Sequence, residues 1–266
     1  MELFKTPKFN YIKYHKLFFG VSSLMALLTV VSLVYRGKNI LSIDFTGGTL
    51  IQGYFEKAAV PLGEVRTALS AGGFAGADLQ SVPEHNAVIL RFKTQQSDAD
   101  RRDVEEKLKG VFSQNFSENP FVFERVEFVG PVVGKSLLKK ALLAIFFSFF
   151  GIVIYVAFRF KNWIWGFAGV FALVHDVFIA TGFMAITGRE ISITVIAALL
   201  TLAGFSINDT IVIFDRIREN IRLRGRSNKE SLEELINRSC NETLSRTIIT
   251  SFTVFLVLVC LLSFGG

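Results

Sequence analysis

Ile191-Ser192-Ile193-Thr194-Val195-Ile196-Ala197-Ala198-Leu199-Leu200-Thr201-Leu202-Ala203-Gly204-Phe205-Ser206-Ile207-Asn208-Asp209-Thr210-Ile211-Val212-Ile213-Phe214 is a run of 24 residues with one ionisable side chain, Asp209. At about 1.5 Å per residue, a helix of that length crosses a hydrocarbon layer of roughly 30 Å. A stretch this long and this apolar belongs in a bilayer, and the carboxylate near its end is an exception that needs a reason.

Four more windows meet the same length criterion: Leu17 to Tyr35, Ala141 to Phe158, Trp163 to Ile186 and Thr247 to Phe264. Hydrophobic residues make up 51% of the 266, with 28 phenylalanines, and the mean hydropathy is +0.45. That is too apolar for an ordinary soluble domain. The expected fold class is an α-helical polytopic membrane protein with an α+β domain inserted after the first span. The net charge of +6 does not point to nucleic acid, because the basic residues gather beside apolar segments instead of forming an aromatic-interleaved stripe. Two cysteines, Cys240 and Cys260, and three scattered histidines offer no disulfide framework and no metal or cofactor site.

The first window follows Lys5, Lys8, Lys13 and Lys16, as in a signal peptide, but ends in Val34-Tyr35-Arg36-Gly37-Lys38 without a small-x-small cleavage site. It reads as a retained anchor. The early lysines, the Arg159 and Lys161 loop and the stretch from Arg216 to Arg246 all fall on one side if every window spans, which makes that side cytoplasmic. Residues 1–16 are then cytoplasmic, 17–35 the first span, 36–140 an external domain with its connector, and 141–214 spans two to four. Residues 215–246 form a cytoplasmic loop and 247–266 the fifth span. Lys135, Lys139 and Lys140 lie outside against the charge rule, from which long translocated domains are largely exempt. In the loop, Leu232, Leu235, Ile236 and Ser239 recur at helical spacing after cap candidates Ser227-Asn228. This predicts an amphipathic surface helix, able to orient the protein or to meet a partner or anionic lipid.

The external insert alternates in strand fashion over Leu50 to Phe55, Leu79 to Val82, Ala87 to Phe92 and Phe121 to Val129. A helix is predicted over Pro61 to Ala71, stopped by Gly72-Gly73, and a second one after a Ser97 cap, with a stripe of Val104, Leu108, Val111 and Phe112. Pro83-Glu84-His85-Asn86 reads as a hairpin turn. The order βαββαβ is that of a ferredoxin-like fold.

Gly130-Pro131-Val132-Val133-Gly134-Lys135-Ser136 has the look of a phosphate loop, but three residues separate its glycines where four are needed to wrap phosphate with backbone amides. It reads as a bend between the last external strand and the second span. Asp44-Phe45-Thr46-Gly47-Gly48-Thr49 reads as a turn into the first strand, its glycines permitting close approach. Ser206-Ile207-Asn208-Asp209-Thr210 puts a carboxylate and three other polar side chains in an apolar helix. Asp209 is either an interfacial cap or a proton-binding group, whose affinity alternates as surroundings change between apolar and cationic. Arg246 reads as a flanking positive charge or as the cation paired with Asp209. His175-Asp176, in the middle of the third span, is a second relay candidate or a structural hydrogen-bonded pair. Successive helical residues point about 100° apart, so the two cannot share one partner. No serine is placed to complete a hydrolytic triad with them, and an enzyme is not expected.

The segment Gly204-Phe205-Ser206-Ile207-Asn208-Asp209-Thr210-Ile211-Val212-Ile213-Phe214-Asp215-Arg216-Ile217-Arg218-Glu219-Asn220 closely resembles the signature of the SecF family. Asp44 to Thr49, Val129 to Gly134, Ala172 to Val177 and Thr243 to Ser251 follow in that family's order, so the resemblance covers essentially the whole chain. It implies a subunit of the resistance-nodulation-division superfamily in the bacterial inner membrane, with a cytoplasmic N-terminus and a periplasmic domain. Its implied partners are SecD, the SecYEG channel, YajC and the unfolded polypeptide in transit. Export driven by the proton motive force is implied too, with protons passing by way of Asp209 and Arg246. The family pattern has six spans and this chain carries five, which reads as a truncation. Two other readings compete: an autonomous small-molecule exporter, which needs larger paired external domains, and a structural translocon subunit that moves no protons.

Overall fold

The computed structural model describes residues 7–74, 77–82, 86–92, 98–160, 163–224 and 230–264. In chain order the elements are helices α1 (His15–Arg36) and α2 (Ile43–Thr46), strand β1 (Gly48–Phe55), helix α3 (Leu62–Ala71) and strands β2 (Asp78–Val82) and β3 (Ala87–Phe92). Helix α4 (Asp98–Asn115), strand β4 (Phe121–Val129) and helices α5 (Pro131–Phe160), α6 (Trp163–Ile186), α7 (Ile193–Arg224) and α8 (Leu232–Phe264) complete the chain. They form two compact units, one of residues 36–147 with 188–197, the other of the remaining helical segments.

The first unit is built on a four-stranded antiparallel sheet in the order β2-β3-β1-β4, the ferredoxin-like arrangement expected from βαββαβ. Alternate residues of β1 and β3 are buried, Ile51 and Phe55 on one, Val88, Leu90 and Phe92 on the other. They join Val65 and Leu69 of α3 and Leu108 and Phe112 of α4 in one core. Each such side chain contributes about 1.5–3 kcal/mol when fully buried. The register of β1 on β4 slips between Gln52 and Gly53, leaving Glu124 unpaired in the ladder, where it accepts a hydrogen bond from Gln52 Nε2 at 3.0 Å. The Ser97 cap, Pro83, Glu84 and His85 of the hairpin turn, Lys161 and the Ser227-Asn228 caps lie outside the described residues.

The second unit draws on α1, α5, α6, α7 and α8, all five of them long and apolar enough to cross a membrane. Three of these helices overrun their apolar windows. α5 begins at Pro131, α7 continues to Arg224, and α8 begins at Leu232. The separate surface helix expected around Leu232 to Ser239 is therefore corrected: it is the opening of the same helix that carries the fifth apolar window. No Gly or Pro interrupts residues 232–264, so the backbone ladder continues past the point where hydropathy changes.

Contacts fix helix directions. Ser22 of α1 meets His175 of α6, and Thr29 of α1 fills the space where Gly182 of α6 has no Cβ. Both helices advance seven residues between these contacts, so they run parallel, as first and third spans must. Between α7 and α8 the partners move oppositely: Asn220 meets Ser239, Arg216 meets Glu242 and Asp209 meets Thr250. Those two helices are antiparallel neighbours. Val156 and Phe160 of α5, Leu173 of α6 and Ala203 and Ile207 of α7 make the apolar centre of the unit.

Candidate functional site

The two glycine motifs that sequence reading treated as separate turns meet each other. Gly47 and Gly48 have φ of 74° and 137°, backbone open to glycine and strained for other residues. A Cβ at Gly47 would stand 3.1 Å from Pro131 Cα, and one at Gly134 would stand 3.0 Å from Gly47 N. Pro131 opens α5, where its missing N–H costs no hydrogen bond, and Gly130 O accepts from Gly134 N at 2.9 Å. Asp44 reaches further: its Oδ2 accepts from Ile193 N at 3.0 Å, placing a carboxylate at the N-terminus of α7. Backbone bonds from Ser42 N to Ile191 O (3.0 Å) and from Ile191 N to Ile40 O (2.7 Å) secure the same contact. Beside it, Arg91 of β3 donates to Gln80 Oε1 at 2.8 Å and pairs by charge with Glu190, with Nε 2.9 Å from Oε1 but not aligned for donation. Burial raises the Glu190 carboxyl above the ordinary glutamate range, and Arg91 pulls it the other way.

Asp209 is half-buried on α7, next to the Thr250 hydroxyl of α8, and Arg246 is the cation whose charge acts on it. Thr250 itself donates to the carbonyls of Arg246 (3.1 Å) and Thr247 (2.9 Å). Among the described residues no ion pair closes between Asp209 and Arg246, so Arg246 acts on the carboxylate through its charge and not through a salt bridge. Asn208 is exposed, Thr210 turns its hydroxyl to Ser206 O at 3.1 Å, and Arg246 is exposed.

His175 and Asp176 do not share a partner, in keeping with their angular offset, yet they touch each other. Nδ1 of His175 lies 3.2 Å from Asp176 Oδ1, His175 Nε2 lies 2.6 Å from Ser22 Oγ, and Asp176 Oδ2 accepts from Ser206 Oγ at 2.7 Å. The result is a hydrogen-bonded chain across α1, α6 and α7. Sequence reading missed Ser22 because the Ser22-Ser23 pair in an apolar window carries no signal of a partner; only the register of α1 on α6 gives Ser22 one.

A second polar set sits between α7 and α8. Arg216 Nε donates to Glu242 at 2.7 Å, and buried Asn220 donates to Glu242 at 2.8 Å and to Ser239 at 2.9 Å. Arg159 pairs with Asp215. Asn241 takes the Phe9 backbone with both ends of its amide, accepting from N at 3.1 Å and donating to O at 2.8 Å. Of these residues Asp215, Arg216 and Asn220 lie within the segment quoted for the resemblance. Among the described residues no group of His, Cys, Asp and Glu is gathered to hold a metal.

Residues 108–266 match the family profile described as "Protein export membrane protein SecD/SecF, C-terminal". The chain is 42% identical over 266 residues to the protein translocase subunit SecF of Endomicrobium trichonymphae, covering 100% of this chain and 83% of that one. It is 39% identical over 268 residues to SecF of Calditerrivibrio nitroreducens, covering 100% and 86%. The crystal structure of SecDF, a translocon-associated membrane protein from Thermus thermophilus, superposes with a TM-score of 0.84 at 36% identity, covering 99% of this chain. A super-membrane-facing form of SecDF superposes at 0.65. The chain spans about a third of the SecDF chains, 35% in each case.

Proposed function

The chain belongs to the SecF family of protein translocase subunits, and we propose that it couples proton movement to polypeptide export through Asp209 of α7. The observation that carries this reading is the unlocked juxtaposition of Asp209 with Thr250 and Arg246 on the antiparallel neighbour α8. A carboxylate in a membrane helix costs roughly 2.5–3.5 kcal/mol on insertion scales, so it is retained where it works. Arg246 favours the ionised carboxylate when near and the protonated acid when withdrawn. A movement of α8 against α7 therefore binds and releases a proton. Each proton crossing 100 mV supplies about 2.3 kcal/mol.

In this reading the protein sits in the bacterial inner membrane with its N-terminus cytoplasmic and its sheet unit in the periplasm. It pairs with SecD, serves the SecYEG channel together with YajC, and its external domain handles unfolded polypeptide emerging from that channel. His175 and Asp176 are secondary members of the relay, with Ser206, Asn208 and Thr210 as the supporting motif. The residues Asp44, Gly47, Gly48, Gly130, Pro131 and Gly134 shape the close turn between the sheet and the start of α5. The SecDF likeness supports the partnership with SecD.

Proton flux into proteoliposomes holding the chain with SecD tests the relay. Flux is expected to vanish in Asp209→Asn and to fall in Arg246→Ala while SecD co-purifies. Undiminished flux in Asp209→Asn would move the proton path elsewhere.

A further inference from the structure

The geometry points to a second proton-loading site, the His175–Asp176 pair, in which Ser22 of α1 is the positioning residue that accepts both protonation states of the ring. This rests on the proton-coupled reading above and adds to it the residue that positions the His175 ring.

An ionised Asp176 can only accept, so the ring nitrogen facing it at 3.2 Å, Nδ1, carries a hydrogen. In the neutral ring Nε2 is then bare, and its 2.6 Å contact with Ser22 Oγ requires the serine to donate. When the ring takes a proton at Nε2, that nitrogen becomes a donor and the same serine oxygen accepts. The displaced hydroxyl hydrogen turns to a backbone carbonyl one turn back, the habitual partner of a helical serine. One hydroxyl thus serves both states without movement of a helix, which alanine, valine or leucine at position 22 cannot do.

Charge gives the loading its direction. The neutral ring beside ionised Asp176 is a net negative pair in a membrane helix, whereas the loaded ring beside it is net neutral. Facing groups do not alter that balance: α1 presents Ser22, α7 presents Ser206 with Asp209 three residues further on, and α5 packs against this part of α6 through apolar Val156 and Phe160. Among the described residues no Lys, Arg or Glu bonds to the pair. Ser206 donates to Asp176 Oδ2 at 2.7 Å and stands one turn from Asp209 on the same helix. A shift of α7 that accompanies protonation of Asp209 therefore withdraws a donor from Asp176, which links the two sites.

The test is nitrogen-15 spectroscopy of His175 in the full chain reconstituted with SecD, assigned by its loss in His175→Gln. The neutral wild-type ring is expected as the Nδ1–H form with Nε2 bare. Ser22→Ala is expected to keep the Nδ1–H tautomer that Asp176 sets, but to shift the ring's titration and give a several-fold loss of gradient-driven export, and Ser22→Thr to restore both. A wild-type neutral ring carrying its hydrogen on Nε2 overturns the proposal even if Ser22→Ala fails to assemble. So does a Ser22→Ala ring with unchanged titration and undiminished gradient-driven export. If Asp209→Asn keeps its gradient response while the His175 results come out as expected, the primary relay fails and this site stands.

Discussion

The sheet unit keeps its largest apolar side chains inside, whereas the helical unit, around its own apolar centre, also turns many of them outward. In the sheet unit the buried residues are large and apolar, Ile51, Phe55, Leu69, Leu90 and Leu108 among them. In the apolar windows of the helical unit Phe167 and Phe171 are more than 70% exposed, whereas the polar side chain Thr29 is buried. One chain thus obeys one rule in two solvents. Water drives apolar side chains inward, while lipid is as apolar as leucine and leaves helix association to close packing and hydrogen bonds. The Thr29–Gly182 contact and the Ser22–His175–Asp176–Ser206 chain are those two devices.

That contrast can be broken by paired substitutions. Phe55→Ala, at the centre of the aromatic cluster with Phe112, Phe116 and Phe121, is expected to cost about 3–5 kcal/mol. Phe167→Ala, on the outer face of α6, is expected to change stability within about 0.5 kcal/mol. Hydrogen exchange in the reconstituted protein reads both, and comparable costs would mean that the α6 face is packed against something other than lipid.

Next in size is Asn220→Leu, which keeps the branching of the side chain and deprives Glu242 and Ser239 of a donor. Leaving those acceptors short should cost about 1–3 kcal/mol, seen as a lower midpoint for separation of α8 from α7 in denaturant. A neutral or stabilising result would show that this polar set is there for movement and not for cohesion.

The smallest effect sharpens the boundary case, Glu190, a partly buried carboxylate of the sheet unit. Because burial raises its carboxyl, the folded chain holds that proton more tightly than the unfolded chain does. Its contribution is complete below the unfolded value and is lost as pH climbs through the raised one. Glu190→Gln should flatten the thermal stability of the sheet unit just above the ordinary glutamate range. An unchanged slope would mean that the Arg91 pair, and not desolvation, sets the titration.

The sheet unit was the more legible of the two in the sequence, because period-two alternation and glycine or proline turns mark each strand. β3 and β4 have the expected limits, and β1 starts two residues early because Gly48 and Thr49 pair across the sheet with Val129 and Phe128. In the helical unit hydropathy finds where lipid lies and not where helices end, so α5 and α8 begin before their apolar windows. The candidate site was legible only as residue types. Asp209 is conspicuous in any apolar run, but its facing of Thr250 and Arg246 depends on the register of α8 on α7. Ser22 depends in the same way on the register of α1 on α6, a long-range property that local spacing does not encode.

The most direct test is export of a secreted protein into membrane vesicles, with and without a proton gradient, comparing wild type with Asp209→Asn and verifying assembly with SecD in both. The account predicts that wild type is accelerated by the gradient and that the variant, equally assembled, exports at the gradient-free rate. An equally assembled variant that keeps the full acceleration would contradict it and leave a structural subunit as the reading.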